Sequence, residues 1–184
     1  MDFSNFNILM YNNLVCPNCN YCDSYQEFLK EIRAAKTPKV TGNQFVNEEG
    51  FTGFKDEFTH TVDETILSYH LNLECLKQIP NSELRTGKSW QRLYWFYTDI
   101  GNKSWADYAA MKALEKFGQF LYNDSDSLAT EEFMTLNIIM GELNLSVGRK
   151  TEAMECFEKN TNISNYQTHD LAVVSTRRFR ELRG

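Results

Sequence analysis

The chain has little proline, little histidine and no surplus of positive charge. Three prolines in 184 residues leave long stretches in which no helix is forced to stop. Lys and Arg number 19 against 25 Asp and Glu, a net charge of −6. That balance argues against a surface built to hold a nucleic-acid backbone, which needs clustered cations. No apolar run is long enough to span a bilayer, so no membrane segment is expected. Met1 to Val15 carries Asp2 and no Lys or Arg, so it lacks the charged start of a signal peptide, and a cytoplasmic setting follows as the expectation. Three chemical signatures are missing as well: the G-x4-G-K-[ST] phosphate loop, the G-x-S-x-G nucleophile elbow and the H-E-x-x-H metal helix.

What is present is the composition of a globular protein, 42% hydrophobic and 14% aromatic, enough for one real core and a small appendage. From about Gly87 to Asn160 the large and small apolar residues are spaced as in stacked helical hairpins. The tetratricopeptide pattern needs bulky apolar residues on a first helix and small ones on a second, so that the two approach closely. In a first copy Trp90, Leu93 and Tyr97 take the first-helix positions, Gly101 the turn, and Ala106, Ala110 and Ala113 the second helix. In a second copy Met140 and Gly141 stand for the Leu-Gly pair, Gly148 for the turn, and Ala153 and Phe157 for A-x3-F, with Asn137 and Asn144 where aromatics are usual. An ordinary antiparallel bundle with coincidental small residues is the alternative.

Around this stretch the expected elements are a short strand from about Leu9 to Val15, and a helix from an Asp23 N-cap, answered by Gln26, to about Lys36. An irregular segment from Val40 to His60 follows, pinned by Phe45, Phe51, Phe54 and Phe58. Thr61 and Glu64 form a capping box for a helix ending near Ile79, before Pro80. Ser104 is expected to cap a long helix from Trp105 to Tyr122, Asn123 to Ser127 to form a polar loop, and a last helix to run from His169 to Leu182 with Arg177, Arg178, Arg180 and Arg183. The domains expected are 1–60, holding knuckle, helix and irregular segment, and 61–184, a helical domain. The fold class is all-α, with tetratricopeptide-like antiparallel hairpins and a small N-terminal cysteine knuckle.

Cys16-Pro-Asn-Cys19-Asn-Tyr-Cys22 is the one local motif with chemical content. Two cysteines two residues apart can wrap one metal ion, yet a structural zinc needs four ligands, so C-x2-C alone is half a site. Cys22 could add a third sulfur, and Cys75, Cys156, His60 or His70 a fourth if the fold returns one of them. A metal-free turn with packed thiols and a redox pair are the other readings. A shared zinc across a homodimer, each chain giving Cys16 and Cys19, is a further one.

The run Tyr11-Asn-Asn-Leu-Val-Cys-Pro-Asn-Cys-Asn-Tyr21, followed by an acidic and aromatic helix and then helical repeats, resembles the bacterial domain-of-unknown-function family 2225. In that family a tyrosine-led strand enters a V-C-P-x-C-G-Y-A knuckle, and the second half is tetratricopeptide-like. Members usually carry an earlier C-x2-C that completes a four-cysteine site, and the chain looks like a short member without it. Asn20-Tyr21-Cys22 stands where Gly-Tyr-Ala is usual, which implies that Cys22 fills a small packed position and adds no ligand. The resemblance implies a zinc site at Cys16 and Cys19, and no activity.

The function expected is a non-enzymatic module that binds a protein or peptide, and nucleic acid is not the partner expected. Its groove is expected along Gln91, Trp95 and Thr98, then Thr135, Ile138 and Glu142. The alternative is a metal-dependent enzyme or sensor built on the N-terminal cysteines.

Overall fold

The computed structural model describes residues 8–16, 19–33, 61–164 and 166–184. It is an all-α structure with one small two-stranded sheet, and it divides into two compact units, Met1–Arg85 and Thr86–Gly184. The 62–76 helix, expected to belong with the later helices, packs on the N-terminal sheet.

In the first unit a 3-10 turn, Ile8–Tyr11, replaces the first half of the expected strand. Strand β1 is only Asn13–Val15, and it pairs antiparallel with β2, Cys22–Ser24, in the register Asn13 to Ser24, Leu14 to Asp23, Val15 to Cys22. Helix α1 covers Tyr25–Arg33. Asp23 is therefore a strand residue and not the N-cap of α1, because its side chain is drawn into the unit's buried polar contacts. The rest of the expected 23–36 helix and the whole aromatic segment 40–60 lie outside the described residues.

Helix α2, Val62–Leu76, begins at the expected capping box: Thr61 Oγ1 accepts from the Glu64 N–H at 3.2 Å and Glu64 Oε2 accepts from the Thr61 N–H at 2.8 Å. It stops at Leu76, three residues early, and the Leu76 carbonyl accepts from Ser82 Oγ at 2.7 Å. Leu71 and Cys75 of α2 meet Tyr21, Cys22 and Phe28 in one core cluster. The Tyr21 and Phe28 rings stack at 5.2 Å.

The remaining helices are α3, Glu83–Asp99, whose first residues fall in the first unit; α4, Lys103–Asp124; α5, Thr130–Ser146; α6, Lys150–Thr161; and α7, Asp170–Arg183. The turns after α3 and α5 use Gly101 and Gly148 at φ of 76° and 79°, a backbone region where a Cβ is strained. Asn102, and not Ser104, caps α4: its side-chain oxygen accepts from the Trp105 N–H at 3.3 Å. The expected 123–127 loop is helical at its start and ends in a 3-10 turn, Ser125–Ser127. His169 caps α7 through Nδ1, which accepts from the Leu171 N–H at 3.3 Å.

Within the second unit, small residues let helices close on each other. A Cβ on Gly141 would stand 2.5 Å from the ring of Phe157, which is fully buried, and a Cβ on Gly87 would run into the equally buried Phe117. The second of these contacts lies outside the first repeat copy as read from sequence. The two asparagines that replace aromatics find polar partners. Asn137 Nδ2 donates to Asn160 Oδ1 at 3.1 Å, and Asn160 Nδ2 donates to the Met134 carbonyl and to Ser175 Oγ of α7. Asn144 Nδ2 faces Cys156 Sγ at 3.9 Å. Asn137 Oδ1 finds no donor among the described residues, a loss of about 1–3 kcal/mol for one buried amide oxygen.

Two glycine substitutions should therefore move stability in opposite directions. Gly141→Ala is expected to cost about 1–3 kcal/mol by overpacking against Phe157. Gly118→Ala, with open space at its Cβ, should stabilise by about 0.5–1 kcal/mol. Urea denaturation of both variants checks this, and shifts of the same sign would contradict the close approach.

Candidate cysteine knuckle and aromatic face

The turn between β1 and β2 is closed by its own backbone. The Cys16 N–H donates to the Tyr21 carbonyl at 2.8 Å and the Asn20 N–H to the Cys16 carbonyl at 2.9 Å. Asn20 sits at φ 54°, the left-handed region that asparagine tolerates better than other side chains do. This is the physical reason that Gly or Asn fits there.

Three cysteines lie on or beside the turn, and Cys16 packs against the core cluster that holds Cys22 and, from α2, Cys75. Cys19 is exposed and Cys16 half-buried, and their thiols are within hydrogen-bonding reach of each other. The Tyr21 backbone N–H, the strongest single influence on Cys19, favours its thiolate, but partial burial and the adjacent Cys16 together leave the thiol above its ordinary value. Cys22 is fully buried: its Sγ donates to the Ser68 carbonyl at 3.0 Å, and its N–H donates to Cys75 Sγ at 3.2 Å. Burial, the nearby Cys75 and Asp23 push the Cys22 thiol well above its usual range, and burial raises Cys75 to about 11. Burial thus favours the neutral thiol at both positions.

Of the other candidate ligands, His60 lies outside the described residues. Burial lowers the His70 value, and Cys156 is a buried thiol of α6 in the second unit. Among the described residues no group of three or more His, Cys, Asp or Glu is placed to hold a metal ion. Cys16 and Cys19 thus fit half of a tetrahedral thiolate site.

Beneath the knuckle sits Asp23, buried in β2. It accepts from Tyr21 OH at 3.0 Å and from Asn72 Nδ2 at 3.3 Å, and it pairs with Arg85. Asn72 Nδ2 also donates to the Cys22 carbonyl at 3.1 Å. Sequence spacing could not have found this set, because Asn72 and Arg85 come from distant elements.

The candidate groove residues fall in varied places. Gln91 is buried, Trp95 and Thr98 are exposed on α3, Thr135 is exposed and Ile138 half-buried on α5. Glu142 accepts a two-pronged contact from Arg178 of α7, at 2.6 Å from Nε and 2.7 Å from Nη2.

The aromatics that do assemble lie elsewhere on α3 and on α4. Trp90 meets Tyr108 edge-on at 5.7 Å, Tyr108 meets Trp105 edge-on at 5.6 Å, and Trp105 stacks on Tyr97 at 5.8 Å. The signal was present in α4, which has two apolar sides: Ala106, Ala109, Ala110, Ala113, Phe117 and Phe120 are buried, whereas Trp105, Tyr108 and Met111 are exposed. A helix that only packed would carry one such side.

These features define an all-α protein with a cysteine-bearing sheet in its first unit and an exposed aromatic ladder in its second. The model of a family described as an uncharacterized protein conserved in bacteria (DUF2225) matches residues 1–181, and the chain belongs to that family. No curated protein and no solved structure matches it. No helix among the described residues is long and apolar enough to cross a membrane.

The left-handed Asn20 generates a test of the turn. Asn20→Gly should keep the Cys22 thiol as protected from alkylation as in the parent chain. Asn20→Val should weaken that protection about tenfold, since a β-branched residue there costs about 1–2 kcal/mol. Equal protection in the two variants would contradict the turn geometry.

Proposed function

We propose that the chain is a non-enzymatic interaction module that binds a peptide segment of another protein on the exposed side of the α3–α4 ladder. The observation that carries the reading is Trp105, Tyr108 and Met111 standing 48%, 40% and 43% exposed on one side of a helix whose other side is buried. Large apolar surface held in water is unfavourable by about 25 cal/mol per Å², and contiguous patches of this kind mark recognition surfaces. Trp and Tyr are the residue types that most often anchor interfaces. Here each ring rests against another, so little side-chain freedom is left to lose on binding. The reading assumes the reducing cytoplasm in which five free cysteines persist.

Trp95, five residues beyond Trp90 and therefore well round α3, is 44% exposed and marks a different side of the helix. A peptide array probed with the purified chain separates the two sides. Trp105→Ala is expected to reduce binding at least tenfold with unchanged helical circular dichroism, while Trp95→Ala leaves binding within about twofold; a tenfold loss is about 1.4 kcal/mol. Loss with Trp95→Ala alone would move the surface to the other side of α3. Binding unaffected by either variant would overturn the reading.

A further inference from the structure

We propose that the second unit carries a further docking surface, a cationic one at the end where α7 stops and α6 starts, and that it takes an acidic peptide segment of a partner protein. The proposal is independent of the aromatic ladder. Helix α7 holds four arginines against Asp170 and Glu181, in a chain whose net charge is −6. Its buried residues are Ala172 and Ser175, and Arg177, Arg180 and Arg183 stand exposed together with Val173. Arg149 and Lys150, also exposed, follow the Gly148 turn. Arg178 pairs with Glu142 one turn before α5 ends at Ser146, and Asn160 near the end of α6 meets Met134 near the start of α5. The α5–α6 turn therefore lies at the same end of the unit as the C-terminus of α7.

The carboxylates of α5 and α7 at this end are committed to one arginine. Glu142 and Glu181 both clasp Arg178, at 2.6 and 2.8 Å, whereas Arg177 reaches Glu181 only at 3.9 Å. Arg180, Arg183, Arg149 and Lys150 have no side-chain partner among the described residues. Glu152, in the first turn of α6, adds one negative charge beside them. The helix dipole does not account for this surplus, because α2, α3, α4 and α5 all end without a basic residue in the last turn. An exposed guanidinium grips a carboxylate through two N–H donors, the geometry that Arg178 makes with Glu142 through Nε and Nη2. A peptide can space its carboxylates around Glu181 and Glu152 and lay an apolar side chain on Val173. A nucleic-acid backbone brings a phosphate at every step and is repelled by the same two carboxylates. A helix that lies on a membrane needs a broad apolar side, and Val173 is the exposed large hydrophobic residue of α7.

The full chain, titrated with a short labelled peptide of Glu and Leu and followed by fluorescence anisotropy, should bind it at least about tenfold more tightly than the Gln-for-Glu version. Affinity should fall steadily as salt rises from about 50 to about 200 mM. Arg180→Glu combined with Arg183→Glu should weaken binding at least about tenfold with unchanged helical circular dichroism, while Trp105→Ala leaves it within about twofold. If the charge-reversed chain fails to fold, Arg180→Gln and the comparison of the two peptides on the parent chain decide the matter. Equal binding of the Glu and Gln peptides, or binding of neither, would overturn the proposal. So would binding that survives the charge reversal or is lost with Trp105→Ala, and so would single-stranded RNA or phosphatidylserine vesicles displacing the peptide and binding more tightly than it does.

Discussion

The N-terminal unit depends on one buried carboxylate. A sheet of two three-residue strands is too small to persist in water unaided, so something must fasten it to a helix. Asp23 does this from the middle of β2, gathering the Tyr21 hydroxyl, the Asn72 amide and the Arg85 guanidinium. A buried charge with this many donors is stable only as a set, and removing one partner of such a pair costs about 3–5 kcal/mol. The main-chain contacts beside it, Asn72 to the Cys22 carbonyl and the Cys22 N–H to Cys75, fix the same strand against α2. With β2 held, Cys22 is buried, Cys16 stays half-buried against the same cluster, and Cys19 is exposed. The burial of Cys22 and Cys75 thus depends on a carboxylate of the same strand.

The second unit solves its packing differently. Glycine in the helix interiors is unfavourable by about 0.5–1 kcal/mol each, and at Gly87 and Gly141 that loss is offset by letting a buried phenylalanine lie directly on a helix backbone. Because α4 buries its alanines and phenylalanines on one side, its tryptophan and tyrosine are left to order one another on the other. Polar atoms join α7 to the body: Ser175 bonds Asn160, and Arg178 clasps Glu142.

Much of this was legible where the determining residues are close in sequence. The Thr61–Glu64 box, the turns at Gly101 and Gly148, and the Gly141–Phe157 contact each involve neighbours or one helical pair. The resemblance carried the family assignment and the packed role of Cys22. Asp23 misled because Asp followed three residues later by Gln is also a helix-start signature, and only the long-range pull of Asn72 and Arg85 decides against it. Ser104 lost to Asn102 because the turn after Gly101 brings the asparagine oxygen onto the Trp105 amide. Cys75 could be offered only as one of several residues that the fold might return to the knuckle, since its contact with Cys22 spans 53 positions. The ladder was hidden because Trp90 and Tyr97 fit repeat positions so well that the second apolar side of α4 went unread.

The most direct test of the account is thiol accessibility in Asp23→Ala, read residue by residue by alkylation and mass spectrometry. Cys22 and Cys75 should become reactive at a rate approaching that of Cys19, while Cys156 in the other unit stays protected. Cys22 and Cys75 as protected as in the parent chain would contradict the central role of Asp23, and so would exposure of Cys156 along with them.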